Sequence, residues 1–106
     1  MSGQEDSRTY ESSGEFSQYV HKTTRRFWEL YWKLPPRIQT LADKQFKLLK
    51  EDPSYPSLRF EKLEGYDNYW SARVTKGYRA VASKEEETFV WFFIGEHDTV
   101  YNWLGR

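Results

Sequence analysis

Four side chains between residues 61 and 97 have types that can do chemistry together: Glu61, Arg73, Arg79 and His97. An imidazole titrates close enough to neutrality to give or take a proton, which makes His97 the most informative single residue. A guanidinium holds a phosphate through two parallel hydrogen bonds, so Arg79 is suited to an anionic substrate. Glu61 can act as a base or stand as a solvated strand carboxylate paired with Lys62, Arg73 or Arg79. Arg79 can equally bridge Glu61 or Glu96 on an inner face. Arg73 lies two strand steps from Ser71 and from Thr75, so the three share one face, where Arg73 fits a cross-strand ion pair as well as a substrate contact.

A second layer of candidates surrounds these four. Lys44, Lys47 and Lys50 recur at i, i+3 and i+6 on a helical stretch. They can steer a polyanion, or they are an ordinary solvated helix face. Lys62 and Lys76 are further cations close to the strands. Tyr66, Tyr69 and Tyr101 can stack on an unpaired base, although most of the 20 aromatic residues must fill the core. His21 reads as an exposed strand residue without a role. The chain has no cysteine, no metal-spaced histidines, no glycine-rich phosphate loop and no Ser-His-Asp order. Thiolate, nucleotide-loop and acyl-transfer chemistries therefore fall away, and no metal or cofactor is expected.

Positioning these residues falls to a short series of elements. Phe16 to Thr23 reads as a strand. Thr24 is placed to cap a helix from Arg25 whose apolar face is Phe27, Leu30, Tyr31 and Leu34, broadened by Trp28 and Trp32. Pro35-Pro36 stops it and opens a second helix to Glu51, with Ile38, Leu41, Ala42, Gln45 and Leu49 on one side. Asp52-Pro53 ends that helix, and Pro56 stiffens the connection. Strands are expected over Leu58–Leu63, Tyr69–Thr75, Tyr78–Ser83 and Thr88–Ile94. Their turns lie at Glu64-Gly65, Lys76-Gly77 and the acidic tip Glu85-Glu86-Glu87. Thr88–Ile94 is apolar almost throughout and should be a central strand. A short terminal turn is expected over Val100–Leu104. The order predicts an α+β domain: an N-terminal strand, a two-helix hairpin, then a three- to four-stranded antiparallel twisted sheet.

Length and charge agree with one modest domain. The 106 residues suffice for a single core, and an aromatic content of 19% means that core is built largely from rings. Residues 1–15 are polar and acidic and are read as a disordered tail, leaving residues 16–106 as the domain. The net charge of zero hides an asymmetry: residues 1–20 carry −3 and the remainder +3. No apolar run spans a bilayer.

Taken in order, L-P-P-R-I-Q, D-P-S-Y-P-S-L, E-K-L-E-G, Y-W-S-A-R-V-T-K-G-Y-R-A-V and W-F-F-I-G-E-H-D-T-V-Y resemble the RelE/ParE toxin superfamily of bacterial type II toxin–antitoxin systems, from Phe16 to the C-terminus. The W-S-x-R-[VI]-T-x-x-[YH]-R spacing over Trp70–Arg79 is most similar to the YoeB-like ribonucleases. That resemblance implies an RNA-cleaving site without metal, in which Glu61 takes the proton from a ribose 2′-OH. Arg79 would stabilise the phosphorane, and His97 would protonate the departing oxygen. Arg73, Lys62, Lys76, Tyr101, Lys44 and Lys47 would contact RNA. The implied partners are a cognate antitoxin and mRNA on the ribosome, in the cytoplasm, with no membrane and no small-molecule cofactor.

The chain departs from the pattern at two places. Ser71 stands where the RelE branch has a basic residue, and Asp98 follows His97 where the YoeB branch has a terminal tyrosine. Two alternatives stay open on this reading: a ParE-like inhibitor of DNA gyrase that is no enzyme, and a non-toxic protein of RelE fold.

Overall fold

A computed structural model describes residues 19–66 and 68–103. The proposed tail at residues 1–15 lies outside them, as do the first residues of the expected N-terminal strand. The chain runs β1 (Val20–Thr23), α1 (Arg25–Tyr31), α2 (Pro36–Glu51), a 3-10 turn (Pro56–Leu58), β2 (Glu61–Lys62), β3 (Tyr69–Thr75), β4 (Tyr78–Glu85), β5 (Thr88–Glu96) and α3 (His97–Trp103). This is the expected α+β order. The five strands form one sheet in the order β1-β5-β4-β3-β2. It is mixed rather than wholly antiparallel, because β1 joins β5 in parallel after the helical crossover.

The helix boundaries follow local chemistry. The Thr24 hydroxyl accepts from the Phe27 N–H at 3.1 Å and caps α1, which satisfies one of its free amides. Pro36 starts α2, where its missing N–H costs nothing. The helices cover one face of the sheet. Tyr31, Leu34, Ile38, Ala42 and Leu49 pack there on Ala72, Val74, Ala80, Ala82, Phe89, Trp91 and Ile94. The three alanines leave room for the rings of Phe60, Trp70, Phe89 and Trp91, whose pairs lie 5.0–6.0 Å apart in tilted and edge-on contacts. A smaller cluster of Leu63, Val81, Phe93 and Val100 closes part of the opposite face under α3.

Four expectations are corrected. Trp28 and Trp32 do not join the buried stripe: they are 42% and 68% exposed, Trp28 with its Nε1–H donated to Thr23 Oγ1 at 2.8 Å and Trp32 at the C-cap just past the end of α1. The strand expected over Leu58–Leu63 shrinks to Glu61–Lys62. Proline at residue 56 starts a 3-10 turn, and Arg59 takes a left-handed conformation (φ 41°) that breaks the extended chain. The terminal turn is a helix that begins at His97 itself. His21 is half-buried, not exposed. Its ring stacks on Phe89 (5.6 Å, 15°), and its Nδ1 accepts from Trp91 Nε1–H at 3.1 Å. Desolvation, with the Lys50 charge adding to it, pushes the His21 pKa down to about 4.

Candidate active site

The site is built on the sheet face away from the helices. Cross-strand partners share a face, so the register fixes what meets there. Glu61 pairs Ser71, Ser71 pairs Val81 and Val81 pairs Phe93. Two residues along, Arg73 pairs Arg79 and Arg79 pairs Gly95. His97 follows two residues after Gly95. The three positions Phe93, Gly95 and His97 therefore mark three successive rows, and Glu61, the arginines and His97 occupy one row each.

Arg73 and Arg79 face each other in a close pair. The Arg73 carbonyl accepts from Gln45 Nε2 of α2 at 2.9 Å, so its backbone groups point away from β4. Arg73 and Arg79 are therefore a non-hydrogen-bonded pair, the geometry in which Cα atoms come to about 4.5 Å and side chains are nearest. Like charges at directly opposed positions disfavour each other. The Arg79 guanidinium is held by backbone oxygens: Nη1 donates to the Thr75 carbonyl at 2.8 Å and the Tyr78 carbonyl at 3.1 Å. The turn itself is braced by the Gly77 N–H donating to Thr75 Oγ1 at 3.1 Å.

His97 sits at the same end. Its backbone N–H donates to the Gly77 carbonyl at 2.8 Å, which ties the start of α3 to the β3–β4 turn. The imidazole is partly exposed, and its Nδ1 lies 3.4 Å from Asp98 Oδ1. Gly95, between the arginine row and His97, has no side chain to fill the face. A Cβ there would come within 3.3 Å of the Phe93 ring.

The other candidates disperse. Glu61 is exposed on β2, and no ion pair holds it among the described residues. Its Cα lies about 12 Å from that of Arg79, two strands across and two residues along. It stands three strands and two rows from His97, on the far side of the arginines. Lys62 pairs Trp70 and alternates onto the helix side. Ser71 is buried, at 6% exposure. Lys44, Lys47 and Lys76 are exposed, on α2 and on the β3–β4 turn. The Tyr101 side chain lies outside the described residues. Tyr66 and Tyr69 stack on each other at 5.7 Å and 12°. Among the described residues, no three carboxylate or imidazole donors converge as a metal site. No helix there is long and apolar enough to cross a membrane.

One contributor escaped the sequence reading. Gln45 sits on the apolar stripe of its helix, and its amide donates to the Arg73 carbonyl at 2.9 Å and at 3.3 Å to the Ser57 carbonyl. A polar residue amid Ile38, Leu41, Ala42 and Leu49 is the signal that could have found it.

A model of the ParE-like toxin domain matches residues 36–102. Solved structures share the fold. A chain of the RelB–RelE antitoxin–toxin complex of Methanococcus jannaschii superposes with a TM-score of 0.61 at 17% identity, covering 77% of this chain and 96% of that one. A YoeB/ParE toxin from Agrobacterium tumefaciens gives 0.57 at 21%, covering 74% and 98%. YafQ from E. coli gives 0.64 at 11%, covering 78% and 98%. No curated protein sequence matches the chain.

Proposed function

This chain belongs to the ParE-like toxin domain family, within the RelE/ParE superfamily, and from that premise we propose that it is the toxin of a type II toxin–antitoxin system that cuts mRNA on the ribosome. The observation that carries the reading is the Arg73–Arg79 pair. Two cations on one face, with Arg79 fixed by turn carbonyls, are arranged to receive a dianionic phosphorane.

In this reaction Arg79 and Arg73 hold the phosphate oxygens and stabilise the charge as the 2′-oxygen attacks phosphorus. His97, tied to the same turn, donates its proton to the departing 5′-oxygen. The resemblance assigns the base to Glu61, whose carboxylate is free to take the 2′-OH proton. No step uses a metal or cofactor. The natural partner is an antitoxin, its acidic side chains pairing with the arginines, and the setting is the cytoplasm.

A second reading, a gyrase inhibitor without enzymatic activity, has the family's ParE-like description in its favour. Induced expression with mapping of mRNA ends separates the two. The nuclease reading expects translated mRNA to be cut by the wild type and left whole by His97→Ala. DNA damage that persists in His97→Ala, with mRNA intact throughout, would establish the gyrase reading instead.

A further inference from the structure

β2 pairs only with Trp70 and Ser71, so among the described residues the edge of β3 from Ala72 to Thr75 has no neighbouring strand. Gln45 caps that edge from α2. Between α2 and this edge lies an open groove whose lining includes Lys44, Gln45, Tyr55, Arg73 and Lys76, and no carboxylate. It abuts the arginine row at Arg73. Lys76 belongs to the β3–β4 turn whose next residue, Gly77, holds His97 from the far side. The groove and the candidate active site are thus two sides of one turn.

Tyr55 completes the groove in a manner that cations alone do not. It is 45% exposed, and no aromatic partner stacks on it among the described residues. Its backbone is nonetheless fixed. Asp52 Oδ1 accepts from the Ser54 N–H at 3.0 Å and from the Ser54 hydroxyl at 2.6 Å. The Tyr55 N–H donates to the Asp52 carbonyl, and Pro56 starts the 3-10 turn directly behind it. An exposed ring on a braced, proline-flanked connection loses little entropy when it is covered. Exposure of such a ring beside lysines, in a groove whose lining holds no carboxylate, suits a polyanion that also carries flat apolar faces: a single-stranded nucleic acid.

We propose that this groove is the track for the single-stranded nucleotides next to the reacting phosphodiester, with Lys44 and Lys76 on successive phosphates and Tyr55 stacked under one base. The inference rests on the RNA-directed reading above, and it adds a second contact region and a stacking residue to it.

The test uses the full chain and a fluorescent single-stranded RNA of about ten nucleotides, within the range such grooves cover, with every 2′-OH methylated so that binding is read without cleavage. Fluorescence anisotropy is measured across a salt series. Replacing Lys44 and Lys76 together with alanine should flatten the slope of log affinity against log salt by roughly 1.4, from about 0.7 per lost phosphate contact. Tyr55→Ala should weaken binding about tenfold, and Tyr55→Phe should bind as the wild type does. Lys33→Ala, on the exposed turn after α1, removes one charge outside the groove and should leave the slope unchanged.

Wild-type affinity and slope in the groove variants would overturn the proposal, as would a Tyr55→Phe loss equal to that of Tyr55→Ala. The same holds for a wild type that binds no RNA, and for variants that lose affinity only for an acidic peptide. Cleaved mRNA in cells with groove variants that bind normally refutes the groove alone. Groove-dependent binding with mRNA left intact refutes the nuclease reading and leaves the groove standing.

Discussion

Arg73 on β3 stands directly opposite Arg79 on β4, on the same face of the sheet, in the register position where side chains approach most closely. A cross-strand pair at this position is a place where opposite charges gain and like charges lose. Residue types alone allow a cross-strand ion pair for Arg73; the strand partner is instead a second cation. A fold that sets two arginines at opposed positions gives up stability where an anion from outside can restore it, a relationship common at functional sites.

That cost is measurable. Arg73→Gln should raise stability by about 0.5 kcal/mol, within the range found for relieving a cross-strand like-charge pair. The same change should lower cleavage, because one of the two phosphate contacts is lost. Urea unfolding and mRNA cleavage by the same preparation check both. A variant less stable than the wild type would show that the pair is not repulsive.

His97→Ala should reduce cleavage by about 10²- to 10⁴-fold, the usual contribution of a positioned proton donor, with the fold retained. The Gly77 carbonyl is engaged by the His97 backbone, which the substitution keeps. Rapid-quench assays beside circular dichroism decide this. Glu61→Gln is the companion variant, and its activity should fall while the exposed position keeps stability within about 0.5 kcal/mol.

His21 gives the fold an acid-sensitive joint. Its pKa is lowered from the ordinary 6.5 to about 4, so the folded state binds this proton less readily than the unfolded chain. Stability from this group is fully present above the unfolded pKa. It is lost as pH falls from about 6.5 towards 4 and is unchanged below that. Allowing for the partial exposure of the ring, the loss amounts to about 1–2 kcal/mol. Unfolding followed by tryptophan emission should show it, since protonated Nδ1 can no longer accept from Trp91. In His21→Phe the slope between pH 4 and 6.5 should shrink by that amount.

Gln45→Ala removes the donor that caps the Arg73 and Ser57 carbonyls. About 1–2 kcal/mol of stability should go, the usual cost of leaving part-buried acceptors unmatched. Cleavage should fall through the loosened edge of β3 while Arg73 itself is intact. Gln45→Leu, which keeps the bulk but offers no donor, should behave as the alanine variant does in both assays.

Much of this protein was legible in one dimension. The Thr24 cap, the paired prolines and the alternation of Tyr69–Thr75 are local signals, and each element they predicted is present because nearest-neighbour chemistry decides it. The family was legible for a related reason, since its motifs fix the order and spacing of these same elements. The register was not. That Arg79 faces Arg73, that Glu61 pairs Ser71, and that His21 meets Trp91 all depend on which strands pair and on the parallel return of β1. Residues 70 positions apart in sequence meet only after the helices close over the sheet, as His21 and Trp91 do. The sequence therefore determined which chemistry the chain carries, through its residue types. Only the tertiary structure decided which of those residues share a face, because a sheet assigns neighbours by hydrogen-bond register and a one-residue shift would send every side chain to the other side.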